Sequence, residues 1–155
     1  MVKEGYYIPV LNYHRISPDE WYYNNTAQFE AHLVYLQQNG YTTIVLDKFY
    51  QYFKGLLTEE QMPRKPVAIT DDDGLRCVYE YAYPLFKKYG ATFTFFLVTS
   101  EISWPHTPAD RKGSYCCWDE IREMVNGCGM MIGVHSYMGH HWGPANDAGD
   151  NCGAL

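Results

Sequence analysis

Short apolar runs alternate with amphipathic stretches along most of this 155-residue chain. The apolar runs have the length of buried strands, and the stretches between them carry apolar residues three or four positions apart, as on one face of a helix. This alternation predicts βα units and a parallel sheet, and therefore an α/β fold. The predicted strands are residues 7–13, 43–46, 67–70, 92–98 and 130–134.

Four helices are predicted between these strands. The first covers residues 27–39, because Asn25 and Gln28 can form a capping box at its start and Gly40 can end it. A short helix follows Asp47, a third spans residues 75–89, and a fourth begins near residue 118. Pro84 falls inside the third helix and predicts a kink there.

The C-terminal residues read differently. From Gly143 onward the sequence is GPANDAGDNCGAL, which is small, polar and without a period. We predict residues 1–142 as one domain and residues 143–155 as a loop or tail. Five βα-like units do not close a barrel of seven or eight, so we expect a distorted (β/α) barrel that is incomplete at its C-terminus.

Charge and composition exclude several classes of protein. The formal charge of −6 argues against a nucleic-acid partner, which requires a basic surface. No apolar run is long enough to span a membrane, and the first five residues lack the apolar stretch of a signal peptide. The five cysteines have neither metal-finger nor disulfide-framework spacing and are predicted to be free thiols.

The stretch VAITDDDG, residues 67–74, is the first with candidate chemistry. An apolar strand ends there in three consecutive carboxylates, Asp71, Asp72 and Asp73, and a helix follows. Loops at the carboxyl ends of parallel strands converge above the sheet, where carboxylates can ligate a cation or take a proton from water. The alternative is that Asp72 or Asp73 only caps the following helix.

A histidine cluster favours the functional interpretation. In GVHSYMGHHW, residues 133–142, His135 directly follows a predicted strand, and His140 and His141 come soon after it. Two imidazoles and one carboxylate form the facial ligand set of a divalent transition metal with open positions.

Five segments resemble the polysaccharide deacetylases, the NodB-homology carbohydrate esterases. The similarity extends from Ile8 to His141 and is stronger to the exopolysaccharide branch, which deacetylates poly-N-acetylglucosamine. The segments, in chain order, are IPVLNYHRIS, KPVAITDDDG, YAYPLFKKYGATFTFFLV, WDEIREMV and IGVHSYMGHH.

The resemblance implies a role for each matching residue. The family motif Thr-Phe-Asp-Asp-Gly falls on residues 70–74, which makes Asp72 the catalytic base and Asp73 a metal ligand. Ligand histidines are five apart in the exopolysaccharide branch, a spacing that His135 and His140 match, although His141 remains an alternative to His140. The branch has a permuted motif order, which makes His14, in YHRI, the general acid.

The resemblance also implies the reaction and its setting. The expected activity is hydrolysis of N-acetyl groups on a polysaccharide that contains N-acetylglucosamine, outside the cytoplasm or at the cell surface. The expected cofactor is one divalent transition metal ion: zinc, nickel, cobalt or iron.

Two departures from the family pattern bear on activity. Asp71 occupies the position of the motif phenylalanine, where an ionised carboxylate would be costly to bury. The family's later motif, an arginine followed by an aromatic-proline-aromatic stretch, is missing.

Several alternatives remain open at this point. The chain could be a relative or fragment that binds metal or glycan without turnover, or a non-haem iron oxygenase with the same ligand set. His14 could be a core histidine, whereas His32 and His106 are expected to be structural or solvent-facing. Four aromatic residues could stack on sugar rings, although packing is the other interpretation: Trp21, Tyr22, Tyr23 and Trp142.

Overall fold

The described residues form one parallel sheet of five strands. The structure is a computed structural model that describes residues 7–18, 24–103 and 115–138, together with the backbone of residues 142–144 and 151–153. All four strand pairings in this sheet are parallel. The strands are β1 (Val10–Tyr13), β2 (Thr42–Ile44), β3 (Pro66–Asp71), β4 (Thr94–Leu97) and β5 (Met131–Val134).

Strand β3 is the centre of the sheet. Ala68 pairs with Val10 of β1 and with Ile44 of β2, so these two strands lie on opposite edges of β3. Further along β3, Asp71 pairs with Tyr13 of β1 and Phe95 of β4. One edge of β3 therefore holds β1, and the other holds β2 followed by β4, with β5 beyond β4. The α/β fold with parallel strands is confirmed, and across the described residues the sheet is open.

In the part of the chain that the structure describes, four α-helices lie at the predicted places, the third of them shorter than predicted. In the first, the Asn25 side chain accepts a hydrogen bond from the Gln28 amide, the reciprocal bond completes the predicted capping box, and Gly40 follows with a φ of +71°. The helices are α1 (Thr26–Gln38), α2 (Leu46–Phe53), α3 (Tyr83–Tyr89) and α4 (Trp118–Cys128).

The kink predicted at Pro84 takes the form of a π-helical segment. Residues Val78–Ala82 form this segment, and α3 begins directly after it with Pro84 in its first turn. Proline has no amide hydrogen and is tolerated in a first helical turn, so the wider π turn comes before it and the regular helix after it.

The core lies mainly between the sheet and the layer of α1, α3 and α4. All six residues of β3 are buried, and alternation divides them between the two faces of the sheet. Val67 and Ile69 face the helix layer, where the rings of Phe86 and Phe93 stack with centroids 4.2 Å apart. On the other face Ala68 belongs to a smaller cluster under α2. Burial on both faces fixes the position of the strand end that follows.

The C-terminal segment, predicted as a loop or tail, contains two short strands. Strand β6 (Trp142–Pro144) pairs in antiparallel fashion with β7 (Asn151–Gly153). Three-residue strands in a glycine-rich sequence carry too few alternating apolar positions to be read from the pattern.

The described residues bear on the predictions about the cysteines and about membrane-spanning helices. Four cysteines are free thiols there: Cys77, Cys116, Cys117 and Cys128. Among those same parts of the chain, none of the helices is long and apolar enough to cross a membrane.

Candidate active site

The predicted site residues lie at the carboxyl ends of three parallel strands. His14 follows β1, Asp72 and Asp73 follow β3, and His135 follows β5. Backbone hydrogen bonds extend the sheet into these loops: the Asp72 amide donates to the Tyr13 carbonyl at 3.0 Å, and the His135 amide donates to the Leu97 carbonyl at 2.9 Å. The same edge of the sheet therefore brings together residues that are up to 121 positions apart in the sequence.

His14 and Asp72 form a pair at this edge. The distance between His14 Nε2 and Asp72 Oδ2 is 3.7 Å, and the exposed fractions of their side chains are 58% and 13%. The alternative that His14 is a core histidine is wrong, because most of its ring faces solvent. An exposed imidazole beside a largely covered carboxylate can serve proton transfer to a substrate that approaches from solvent.

Asp73 and His135 form a second pair. Asp73 Oδ1 lies 3.7 Å from His135 Nε2, which is too long for a direct hydrogen bond. Two ligands held about 2.1 Å from one tetrahedral metal ion would be about 3.4 Å apart, so this separation suits a shared cation. An imidazole nitrogen and a carboxylate oxygen are also the donors that such an ion prefers.

The third proposed ligand, His140, lies outside the described residues, as does its alternative His141. Within the described residues, no group of three histidine, cysteine, aspartate or glutamate side chains has the geometry to hold a metal ion. The structure therefore describes two of the three proposed metal ligands, Asp73 and His135.

The backbone is strained at Asp73 and directly after His135. Among the described non-glycine residues, the two with positive φ are Asp73 at +78° and Ser136 at +104°. Such conformations cost of order 1–3 kcal/mol and are concentrated at functional sites. Gly74 also has a positive φ, +83°, and a Cβ there would lie 3.0 Å from Ile102 Cδ1. Glycine tolerates the positive φ and has no Cβ to crowd Ile102, which explains the glycine of the motif.

The loop after β4 holds the two site loops together. The Val98 amide donates to the Asp73 carbonyl at 3.3 Å, and the Thr99 amide donates to the Ser136 carbonyl at 3.1 Å. These bonds connect the carboxylate loop and the histidine loop through a third segment. The site is thus fixed by backbone contacts between loops from β3, β4 and β5.

Asp71 is buried on the opposite face of β3 from Asp72. Its side chain is 1% exposed, and among the described residues neither carboxylate oxygen has a hydrogen-bond partner. Burial raises the pKa of Asp71 well above its ordinary value, and the neighbouring Asp72 and Asp73 raise this pKa further. Both effects favour the neutral form of this carboxyl group, as expected for apolar surroundings at a motif phenylalanine position.

We expect Asp71→Phe to raise the melting temperature. A buried polar group without a partner costs about 1–3 kcal/mol, which corresponds to roughly 3–10 °C in a domain of this size. Thermal unfolding with a chelator present measures this effect without a contribution from bound metal. Asp71→Val controls for the larger volume of phenylalanine, and two variants that both melt below the wild type would contradict the prediction.

The same residue makes stability depend on pH in a defined direction. Above the ordinary pKa of 3.8, the unfolded chain loses the Asp71 proton while the folded chain keeps it. The folded state then binds more protons, so this group's contribution to the free energy of unfolding falls as the pH rises toward the raised pKa. The stability gap between Asp71→Val and the wild type should therefore be smaller at pH 5 than at pH 8.

Asn12 also contacts the site, although no motif in the sequence pointed to it. Its side-chain amide donates a hydrogen bond to Asp72 Oδ2 at 3.2 Å. The sequence signal that could have identified it is alternation along β1, because residues two apart, such as Asn12 and His14, point to the same face of the sheet.

The other histidines and aromatic residues considered as candidates are not part of the two pairs. His32 is exposed on α1, and its Nδ1 lies 3.0 Å from the Tyr13 hydroxyl, in agreement with a structural or solvent-facing role. Four residues lie outside the described part of the chain: Trp21, Tyr22, Tyr23 and His106. Trp142 is described by its backbone alone.

Comparison with known sequences identifies the class of protein. A family profile described as polysaccharide deacetylase matches residues 59–148, which is more than half of the chain. A protein of Bacillus subtilis (strain 168) named as a polysaccharide deacetylase, YxkH, is 37% identical over 100 residues, which cover 64% of this chain and 34% of that protein. The poly-beta-1,6-N-acetyl-D-glucosamine N-deacetylase of Escherichia coli (strain K12) is 23% identical over 135 residues, which cover 80% of this chain and 19% of that enzyme.

Solved structures share the fold. IcaB from Ammonifex degensii superposes with a TM-score of 0.73 at 31% identity and covers 93% of this chain and 58% of its own. A de-N-acetylase from Aggregatibacter actinomycetemcomitans gives a TM-score of 0.76 at 25% identity and covers 94% of this chain and 61% of its own.

The parallel α/β fold and the family profile agree in placing the chain among the NodB-type polysaccharide deacetylases. The chain belongs to the polysaccharide deacetylase family. It spans about a third of the length of YxkH and less than a fifth of the Escherichia coli enzyme.

Proposed function

We propose that this chain is a metal-dependent hydrolase that removes N-acetyl groups from N-acetylglucosamine residues of a polysaccharide. The observation that carries the proposal is the pairing of His14 with Asp72, beside the pairing of Asp73 with His135, at one edge of the sheet. The names of the poly-beta-1,6-N-acetyl-D-glucosamine deacetylases among its relatives support this substrate class. A polymeric glycan substrate also favours a location outside the cytoplasm.

The proposed metal ligands are Asp73, His135 and His140. A divalent transition ion held there would supply Lewis-acid chemistry and would lower the pKa of water toward neutrality. The carboxylate and the imidazole are suitable donors for zinc, nickel, cobalt or iron.

The chain's own residues would move the protons. Asp72 takes a proton from the attacking water as the water oxygen adds to the acetyl carbonyl. His14, as the imidazolium, then gives a proton to the sugar nitrogen as the carbon–nitrogen bond breaks. Acetate and a free amine are the products. Each positioned acid or base of this kind contributes about 10²–10⁴-fold in rate.

The test of the proposal is acetate release from N-acetylglucosamine oligomers, with and without a chelator. We expect acetate from the wild type, loss of it in the chelator, and recovery when Zn²⁺ or Co²⁺ is added back. Turnover that persists in the chelator would contradict the metal-dependent mechanism. Binding of oligomers without acetate would favour a relative or fragment that binds glycan without turnover, and oxygen consumption would favour an oxygenase.

A further inference from the structure

Asn12 contacts the proposed base directly, from the neighbouring strand. Its Nδ2 lies 3.2 Å from Asp72 Oδ2. Asn12 is opposite Thr70 in the parallel register of β1 and β3, and Asp72 comes two residues after Thr70 on the same face. The contact therefore follows from the strand register and does not depend on a long loop.

The chemistry of the pair fixes the orientation of the Asn12 amide. If the amide were rotated by half a turn, its oxygen would face a carboxylate oxygen, and two acceptors cannot form a hydrogen bond. The NH₂ group therefore faces Asp72. His14 Nε2 lies 3.7 Å from the same oxygen, Oδ2. Both described partners are thus on one side of the carboxylate, and the other oxygen, Oδ1, is left to accept a proton.

We propose that Asn12 is a positioning residue that holds the Asp72 carboxylate so that Oδ1 faces the attacking water. The inference rests on the proposed function. The terminal torsion of an aspartate is broad, so a carboxylate without a fixed donor samples many orientations. A neutral amide restricts this rotation without adding a charge beside Asp72. Small errors in the placement of a reacting group can cost up to about 10²-fold in rate.

The activity test compares Asn12→Leu, which keeps the size of the side chain and removes the donor, with the wild type loaded with Zn²⁺. We expect kcat for acetate release to fall about 10-fold, with KM changed by less than about twofold and the bound zinc unchanged. The matched control is Asn39→Leu, which removes a similar amide hydrogen bond, from Asn39 to the Tyr35 carbonyl at 2.8 Å, at the end of α1. That control should leave kcat unchanged.

A third variant separates positioning from a structural role. Asn12→Asp keeps the shape and polarity of the side chain but repels Asp72. If Asn12 positions the base, kcat should decrease in the order Asn, Leu, Asp. If Asn12 only supports the strand, the aspartate variant should retain activity and the leucine variant should lose it, which would overturn the inference.

A readout that does not depend on turnover is a double-mutant cycle in urea, with a chelator present. Asn12→Leu, Asp72→Ala and the double variant should show a coupling of about fivefold in the unfolding constant. A coupling near onefold overturns the inference. Absence of acetate release from the wild type would contradict the proposed function instead, and the cycle would then decide the inference by itself.

Discussion

Asp72→Asn is expected to lower acetate release by about 10²–10⁴-fold while the bound metal stays unchanged. Asparagine keeps the shape of the side chain, but its amide cannot take a proton from water. Asp72 is adjacent to the metal-ligand candidate Asp73. The variant therefore tests whether proton transfer and metal binding are separate roles of these two residues. Acetate release and elemental analysis on the same protein samples measure both quantities. The matched control is Asp119→Asn, an exposed carboxylate that pairs with Arg122 on α4 at 2.6 Å.

His14→Ala provides the contrast that assigns the acid. It should also retain metal, because His14 contacts Asp72 and is not a proposed ligand. An amine leaving group needs a proton more than the alkoxide of an activated acetyl ester does. His14→Ala should therefore slow amide hydrolysis more than ester hydrolysis, whereas Asp72→Asn should slow both. Equal losses on the two substrates would mean that His14 positions substrate or supports the fold.

Asp73→Ala and His135→Ala are each expected to abolish binding of about one divalent ion per chain, and acetate release with it. The two side chains approach to 3.7 Å at the strand ends, so the loss of either leaves an incomplete ligand set. Elemental analysis after dialysis measures the metal. His32→Ala is the matched control, since His32 lies on α1 and contacts Tyr13. Equal metal in the wild type and both site variants would contradict the assignment.

The same measurement addresses the third ligand. His140→Ala should lose metal and His141→Ala should keep it, if the five-residue spacing from His135 identifies the ligand. The opposite result would transfer the role to His141.

A large part of the fold could be predicted from local sequence. The helix termini depend on short-range interactions, such as the Asn25–Gln28 capping box and the positive φ of Gly90 after α3. The start of α1 and the end of α3 both lie where these sequence signals predict them. The strand β3 was visible because burial on both faces requires a continuous apolar run. The strand ends then indicated where the carboxylates and His135 should be sought.

The family resemblance added the roles of individual residues, since no periodicity distinguishes Asp72 from Asp73. The structure placed these two residues beside different histidines, His14 and His135. Their division between a proton-transfer pair and a metal pair remains a prediction that the variants above test.

Local sequence is sufficient to specify the βα units, their helix caps and the strand ends that carry the polar residues. Which strand ends are neighbours becomes clear only in the folded chain, where Asn12 reaches Asp72, 60 residues away, across the register of β1 and β3. The tertiary structure also places Asp71 on the face of β3 that packs against the helix layer, where its carboxyl group has no hydrogen-bond partner among the described residues. Caps and periodicity depend on neighbours along the chain, whereas strand order and the partners of a side chain depend on packing between distant segments.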